Sequence, residues 1–183
     1  MDAVRKDPNQ DRRLAVHPDL VPGGHLPDLE LPDHSGLTRT LTELADGDPL
    51  VVQFFRGWWC PKEQTAMRAL VRLQSEAEVA YTRFVSISVD EPVALAAFRA
   101  GLDARWTFLS DSERRYQEQL GLRETTDPLY RPYLPTVFTV YPDLRIHNVY
   151  NGYWYWGRPS NEELRQDLRA ITRELRSDWA VAS

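Results

Sequence analysis

The sequence predicts an α/β protein in which a mixed sheet is flanked by helices on both faces. Short apolar strand patterns at 50–55, 84–89 and 106–109 alternate with amphipathic helix patterns, and this order predicts parallel βαβ units. Two further strand patterns, at 137–141 and 145–150, flank a short turn and predict an antiparallel hairpin. A sheet that contains both kinds of pairing is mixed.

Each predicted helix has a recognisable start or an apolar face. The residues at 90–92 indicate the start of the second helix. Capping-box patterns at 110–113 and 160–163 predict two later helix starts, and the first of these helices should stop at Gly121. The first long helix, at about 61–78, has an apolar stripe at helical spacing, and so does the last helix. These stripes are Ala66, Leu70, Leu73 and Ala77, and Leu164, Leu168, Ile171 and Leu175.

Length and composition predict one domain with short extensions. The chain has 183 residues, of which 42% are hydrophobic and 27% charged, enough for one well-buried core. Residues 1–24 are rich in Asp, Arg and Pro and predict a polar arm. A small N-terminal hairpin then opens the domain at 25–178, and residues 179–183 form a short tail.

Charge and hydropathy exclude several partners. The net charge of −5 and the absence of a long Lys/Arg run argue against nucleic acid and anionic membranes. The polar start lacks the apolar core of a signal peptide, and no 18-residue apolar stretch occurs. We therefore expect a cytoplasmic protein, and a single cysteine fits a reducing compartment.

That single cysteine, Cys60, is the main functional candidate. It lies where the apolar strand at 50–55 turns into the helix that begins at Pro61, a residue suited to the first helical position. Backbone N–H groups and the helix dipole at such a position stabilise a thiolate, which is the nucleophilic form of cysteine. The alternative is an inert, buried cysteine that packs as a small apolar side chain.

Two charged neighbours are candidates for roles in the chemistry. Arg56 is placed to stabilise a thiolate and to hydrogen-bond an oxygen of the substrate, or it is a solvated charge at the end of a strand. Glu63 is placed to shuttle a proton to a leaving group. A carboxylate in the first turn of a helix is also favoured by the helix dipole, whatever the protein does.

The densest aromatic segment follows the predicted hairpin and includes Trp154 and Trp156. Rings at this density fill a core or a subunit interface, and the alternative is an apolar wall of a substrate site. Trp59, next to Cys60, has the same two interpretations. The four histidines show no metal-ligand spacing, and no phosphate loop or dinucleotide fingerprint occurs, so neither a metal nor another cofactor is expected.

Several motifs, taken in order, resemble the thioredoxin-fold redoxins, and the peroxiredoxin branch (alkyl hydroperoxide reductase/thiol-specific antioxidant) most of all. The resemblance covers about residues 25–176. There are five motifs in chain order. The first joins residues 29–33 and 41–44, and the second is the strand that runs into Trp59-Cys60-Pro61. The remaining three are residues 86–90, residues 108–111 and Leu134-Pro135-Thr136.

The resemblance implies a thioredoxin-like fold with Cys60 as the nucleophile. It also implies a cis bond before Pro135, which would face the cysteine, and a role for Thr136 in presenting backbone groups to a thiol-bearing substrate. The sequence departs from the family in two places. Peroxiredoxins usually have threonine three residues before the reactive cysteine and arginine near position 135, whereas this chain has Gly57 and Pro135.

We therefore expect a single-cysteine thiol peroxidase with antioxidant activity on hydrogen peroxide or organic hydroperoxides. A Cys60 sulfenic acid would be regenerated by an external thiol of the glutathione, mycothiol or thioredoxin type, since the chain has no second cysteine. We also expect that the protein forms a homodimer. Other functions remain open: thiol-disulfide or glutathione transfer, a specialised reaction on a small molecule, or an inactive redoxin-fold binding module.

Overall fold

The structure, a computed structural model, describes residues 17–151 and 158–176. None of the helices in these two ranges is both long enough and apolar enough to span a membrane. In chain order the elements are β1 (Glu30–Pro32), β2 (Thr38–Thr40), α1 (Leu41–Ala45), β3 (Leu50–Phe54), α2 (Pro61–Val79), β4 (Arg83–Ser88), α3 (Pro92–Leu102), β5 (Thr107–Ser110), α4 (Arg115–Gln119), β6 (Thr136–Val140), β7 (Ile146–Asn151) and α5 (Asn161–Leu175).

The central sheet is mixed, as the sequence predicts. Its strand order is β5-β4-β3-β6-β7, while β1 and β2 form a separate hairpin. The pairs β3/β4 and β4/β5 are parallel, and the pairs β3/β6 and β6/β7 are antiparallel. The β3 strand is central and is parallel to β4. The crossover from β3 to β4 contains α2, and Cys60 lies between the carboxyl end of β3 and the start of α2.

Alternate residues of β3 face two different cores, because side chains of a strand alternate between the two faces of a sheet. Val52 and Phe54 join the core under the N-terminal hairpin, α1 and α4. Val51 and Phe55 join the core under α2, α3 and α5. The sheet is thus covered on both faces, which confirms the predicted layer arrangement.

The buried face of α2 differs slightly from the predicted stripe. Leu70, Leu73 and Ala77 are buried as expected, but Ala66 is only half buried. Glu63 and Met67 lie on the buried face instead. Met67 is four residues after Glu63 and three before Leu70, so helical spacing puts all three on the same face, and a carboxylate enters the apolar core.

The predicted capping box at 110–113 does not form. The Ser110 hydroxyl donates to the Asp90 carbonyl oxygen instead, and α4 begins only at Arg115. The helix ends at Gln119, with Leu120 as its C-cap and Gly121 next at φ +63°, which confirms the predicted stop at Gly121. The Asp111 carboxylate accepts the backbone N–H groups of Tyr116 and Gln117, at 3.1 and 2.9 Å, and so satisfies donors at the start of α4. The second box does form, between Ser160 and Glu163.

The expected arm at 1–24 is described only from residue 17, and that part contacts the domain. The backbone of Gly24 accepts from Ile146 N–H, and Gly23 N–H donates to the Ile146 carbonyl oxygen. Leu20 is buried in the core under the N-terminal hairpin.

The Leu134–Pro135 bond is trans, which corrects the cis bond that the resemblance implies. The preceding residues form an extended ladder with an earlier segment: Tyr133 bridges to Arg123, and Leu134 N–H donates to the Leu122 carbonyl oxygen at 2.7 Å. A trans bond lets this extended chain run directly into β6.

We expect Tyr133→Phe to lower the free energy of unfolding by about 1–3 kcal/mol, the range for a buried hydrogen bond that loses one partner. The Tyr133 hydroxyl donates to the buried Asp111 carboxylate at 2.6 Å. Burial, together with this carboxylate, raises the pKa of Tyr133, which keeps the hydroxyl a donor at all working pH values. Urea unfolding monitored by circular dichroism measures the change.

Glu113→Ala is the matched control, because Glu113 is exposed and the capping box it belongs to is not formed. Its effect should stay within about 0.5 kcal/mol. A larger loss for Glu113→Ala than for Tyr133→Phe would contradict this account of α4.

Candidate active site

Cys60 is the N-cap residue of α2, as the sequence predicts. Its backbone is extended, with φ −81° and ψ 117°, and Pro61 follows in the first turn. Within the described parts of the chain the thiol makes no capping hydrogen bond, and only 3% of the residue is exposed. The first N–H groups of α2 therefore lie beside a sulfur that is almost completely shielded from water.

A tight turn brings the chain from β3 to Cys60. Cys60 N–H donates to the Gly57 carbonyl oxygen at 3.2 Å, which closes the turn. Gly57 has φ +142°, in the region that favours glycine. A Cβ atom on residue 57 would lie 2.6 Å from Trp59 Nε1 and 3.1 Å from Asp90 Oδ2. The space that a side chain on residue 57 would need is therefore filled by the Trp59 indole.

Asp90 holds the same turn from the end of β4. Its carboxylate accepts from Trp58 N–H at 3.2 Å and from the Ser88 hydroxyl at 2.8 Å. Burial raises the pKa of Asp90, against the opposing effects of these two hydrogen bonds and of the nearby Arg114 charge. In the sequence, Asp90 appears only as part of a helix-start signal, whereas the N-cap of that helix is Glu91.

Arg56 is held by a residue distant in sequence. Its Nη2 donates to the Asp127 carboxylate at 2.8 Å, and its guanidinium carbon lies 5.2 Å from the centre of the Trp59 ring. Trp59 in turn stacks on Tyr130, with 4.1 Å between ring centres. Arg56 Nε is buried and has no hydrogen-bond partner among the described residues. Thus Arg56 is not a solvated charge, which was the alternative left open by the sequence.

Glu63 is a buried ion-pair partner. The residue is fully buried in the first turn of α2, and both of its carboxylate oxygens face the Arg158 guanidinium. Arg158 lies just before α5, and its side chain is 15% exposed. The sequence analysis missed Arg158. The spacing of Glu63 to Met67 and Leu70 is a signal for it, because a carboxylate on a buried face requires a cation.

Thr136 is the first residue of β6, and Pro135 directly precedes it. Both are buried. Thr136 pairs with Phe54 on one side and with Asn151 on the other, and its hydroxyl donates to the Leu134 carbonyl oxygen at 3.1 Å. Thr136 is thus an ordinary paired strand residue at this position. Trp154 and Trp156 lie outside the described residues, so the alternative interpretations of the aromatic segment stay predictions.

A groove of about 480 Å³ runs along α2 from Pro61 to Arg72 and against the start of α5. Pro61 and Arg158 line it, with Gln53 and Val137 also contributing. Within residues 17–151 and 158–176, no group of His, Cys, Asp and Glu side chains is arranged to hold a metal ion. The described site offers a shielded thiol at the N-terminus of α2.

Comparison with known proteins gives the family. The AhpC/TSA family matches residues 22–149. No curated protein matches the chain. Among solved structures, the fold is similar to the peroxidoxin BcpB from Mycobacterium tuberculosis, with 24% identity, a TM-score of 0.71, and coverage of 85% of this chain and 98% of that one.

Two further structures have the same fold at lower identity. AhpC from Enterococcus faecalis has 14% identity and a TM-score of 0.72, over 90% of this chain and 99% of that one. A mutant of peroxiredoxin 6 from Arenicola marina has 13% identity and a TM-score of 0.73, over 87% of this chain and 76% of that one. At these identities the likeness to all three structures concerns the fold.

The fold and the shielded thiol at a helix N-terminus define a peroxiredoxin, an oxidoreductase of the thiol peroxidase class. The chain belongs to the AhpC/TSA family. The predicted thioredoxin-like fold and the predicted class are therefore confirmed.

We expect Glu63→Gln to lower the free energy of unfolding by about 3–5 kcal/mol, because it leaves the mostly buried Arg158 charge without its partner. Glu76→Gln is the control in the same helix, since Glu76 pairs with Arg165 at a site where both side chains are well exposed. The control should lose less than about 1 kcal/mol. Equal losses of unfolding free energy in the two variants, measured by denaturant unfolding, would show that the Glu63–Arg158 pair stabilises the protein no more than the Glu76–Arg165 pair does.

We expect Gly57→Ala to be more destabilising than Gly36→Ala. Both glycines have positive φ, at +142° and +85°, but a Cβ atom on Gly36 meets no described atom within 4 Å. Gly36→Ala should therefore show the backbone effect alone, about 1–2 kcal/mol. Gly57→Ala adds the overlap with Trp59, so its loss in urea unfolding should be larger. A smaller loss would mean that Trp59 moves aside freely.

Proposed function

We propose that the protein is a single-cysteine thiol peroxidase whose nucleophile is Cys60. The observation that carries this proposal is the position of the chain's single thiol, at the N-terminus of α2 and at the carboxyl end of β3, in a fold of the AhpC/TSA family. The substrate is hydrogen peroxide or an organic hydroperoxide.

In the first step the Cys60 thiolate attacks the terminal oxygen of the hydroperoxide. The O–O bond breaks, an S–O bond forms, and the sulfur becomes a sulfenic acid while the remaining alkoxide or hydroxide takes up a proton. Arg56 stabilises the negative charge that moves from sulfur to the leaving oxygen. Glu63 is paired with Arg158 inside the protein, so we assign it to fixing the first turn of α2 rather than to moving the proton.

In the second step two external thiols reduce the sulfenic acid, which restores the Cys60 thiol and yields their disulfide and water. An external reductant is required because the chain has no second cysteine. A thiol of the glutathione, mycothiol or thioredoxin type fits this role, and the cytoplasm is the compartment that supplies it. A homodimer is part of the same proposal.

The degree of burial favours a peroxidase over the transferase alternatives. With 3% of Cys60 exposed, a small hydroperoxide reaches the sulfur with less rearrangement than a bulky disulfide requires.

Cys60→Ser should abolish peroxide consumption while leaving the fold intact, because serine is nearly isosteric and is a far weaker nucleophile at neutral pH. Peroxide consumption is followed with a thiol reductant present, and circular dichroism and melting temperature report on the fold.

Mass spectrometry of the unmutated protein after stoichiometric peroxide should show one added oxygen on Cys60, and glutathione should remove it. Peroxide consumption by Cys60→Ser at the original rate would overturn the proposed function. A mass spectrum that shows no oxidation of Cys60 after stoichiometric peroxide would overturn it as well.

A further inference from the structure

Residues 124–131 form an ordered loop, here called the clamp loop, whose own contacts fix its shape. The Glu124 carboxylate accepts from the Thr126 N–H and hydroxyl groups, both at 2.8 Å. The Asp127 carboxylate accepts from Tyr130 N–H at 3.0 Å, and the Asp127 carbonyl oxygen accepts from Arg131 N–H at 3.1 Å. The loop therefore presents Asp127 and Tyr130 in a defined arrangement.

The start of α4 supports the clamp loop through side-chain hydrogen bonds. Arg114 Nη2 donates to the Tyr130 carbonyl oxygen at 3.1 Å, and Gln117 Nε2 donates to the Arg131 carbonyl oxygen at 2.9 Å. Arg131 has φ +45°, an unfavourable conformation for a residue with a side chain, so its backbone is held there by these contacts. The loop is a fixed support for whatever it contacts.

What the clamp loop contacts is the turn that carries the nucleophile. Asp127 binds Arg56, and the two side chains are 17% and 23% exposed. Tyr130 stacks on Trp59, at an angle of 21° between the rings. Arg56 lies four residues before Cys60, and Trp59 lies directly before it. A carboxylate and an aromatic ring from a segment far along the chain therefore hold two residues of the turn, Arg56 and Trp59.

The arrangement leaves one strong donor without a partner among the described residues. Asp127 holds Nη2 of Arg56, while Nε is buried and unpaired within ranges 17–151 and 158–176. An unpaired buried donor is unfavourable, and an acceptor that binds there removes this cost. Because the guanidinium group is planar and rigid, one hydrogen bond at Nη2 together with the Trp59 ring sets the direction of the Nε–H bond.

We propose that Asp127 is a positioning residue, which orients Arg56 so that its Nε–H donates to an oxygen of the hydroperoxide during attack by Cys60. The inference rests on the proposed function. Asp127 itself touches neither substrate nor sulfur, and it acts only through Arg56.

A double-mutant cycle tests this directly. Arg56→Ala should slow the reaction of Cys60 with hydrogen peroxide by about 100-fold, the order of magnitude for loss of a donor to developing charge. Asp127→Asn should slow it by about tenfold, the scale for losing a group that orients a site residue. In the Arg56→Ala background, Asp127→Asn should change the rate less than about twofold, because no guanidinium remains to be oriented.

A second readout separates positioning from a general disturbance of the loop. Alkylation of Cys60 by iodoacetamide requires the sulfur nucleophile but no donor to a peroxide oxygen, so Asp127→Asn should slow alkylation far less than it slows the peroxide reaction. If Asp127→Asn does not fold, Asp127→Glu is used. It keeps the charge but moves it by one methylene group, and the peroxide rate should fall between those of the unmutated protein and Arg56→Ala.

Asp46→Asn is the matched control. Asp46 pairs with Arg83 on the surface at the other end of β3, and its left-handed backbone suits asparagine. Its peroxide rate should equal that of the unmutated protein. Additive losses in the cycle, an unchanged rate in Asp127→Asn or Arg56→Ala, or equal effects on peroxide and iodoacetamide would overturn the inference. In each of these cases loss of activity in Cys60→Ser would still support the peroxidase itself.

Discussion

The buried ion pair between Glu63 and Arg158 determines where the nucleophile lies. A carboxylate in the apolar face of α2 is stable only when a cation accompanies it, and Arg158 comes from the segment that leads into α5. The pair therefore ties the first turn of α2 to the start of α5, on the same face of the sheet. Since Cys60 caps α2, its position relative to the sheet is set by this pair.

The same pair defines the role of Glu63 in the site. Its carboxylate is fully buried, and both of its oxygens face the Arg158 guanidinium. Glu63 is therefore better understood as a structural member of the site than as a proton carrier.

Much of the fold could be predicted from the sequence because it depends on local patterns. A short run of β-branched and aromatic residues located β3, and proline beside cysteine located the start of α2. The partners of the site could not be predicted in this way. Periodicity shows which face of an element is buried, but not which side chain lies opposite, and Asp127, Arg158 and Asp90 come from segments that carry turn or capping patterns. The predicted capping box at 110–113 failed for a related reason: Ser110 and Asp111 found tertiary partners that replaced the local ones.

The turn before α2 and the clamp loop are connected by a chain of packing contacts. Gly57 has no side chain, which leaves room for the Trp59 indole over the turn. The indole provides a surface for Tyr130, and Tyr130 belongs to the loop that brings Asp127 to Arg56. The same turn contains a buried donor, Arg56 Nε, which is unpaired among the residues that the structure describes. These contacts are therefore coupled through packing: a bulkier residue at 57 would displace Trp59, and with Trp59 displaced the ring that flanks Arg56 would be lost.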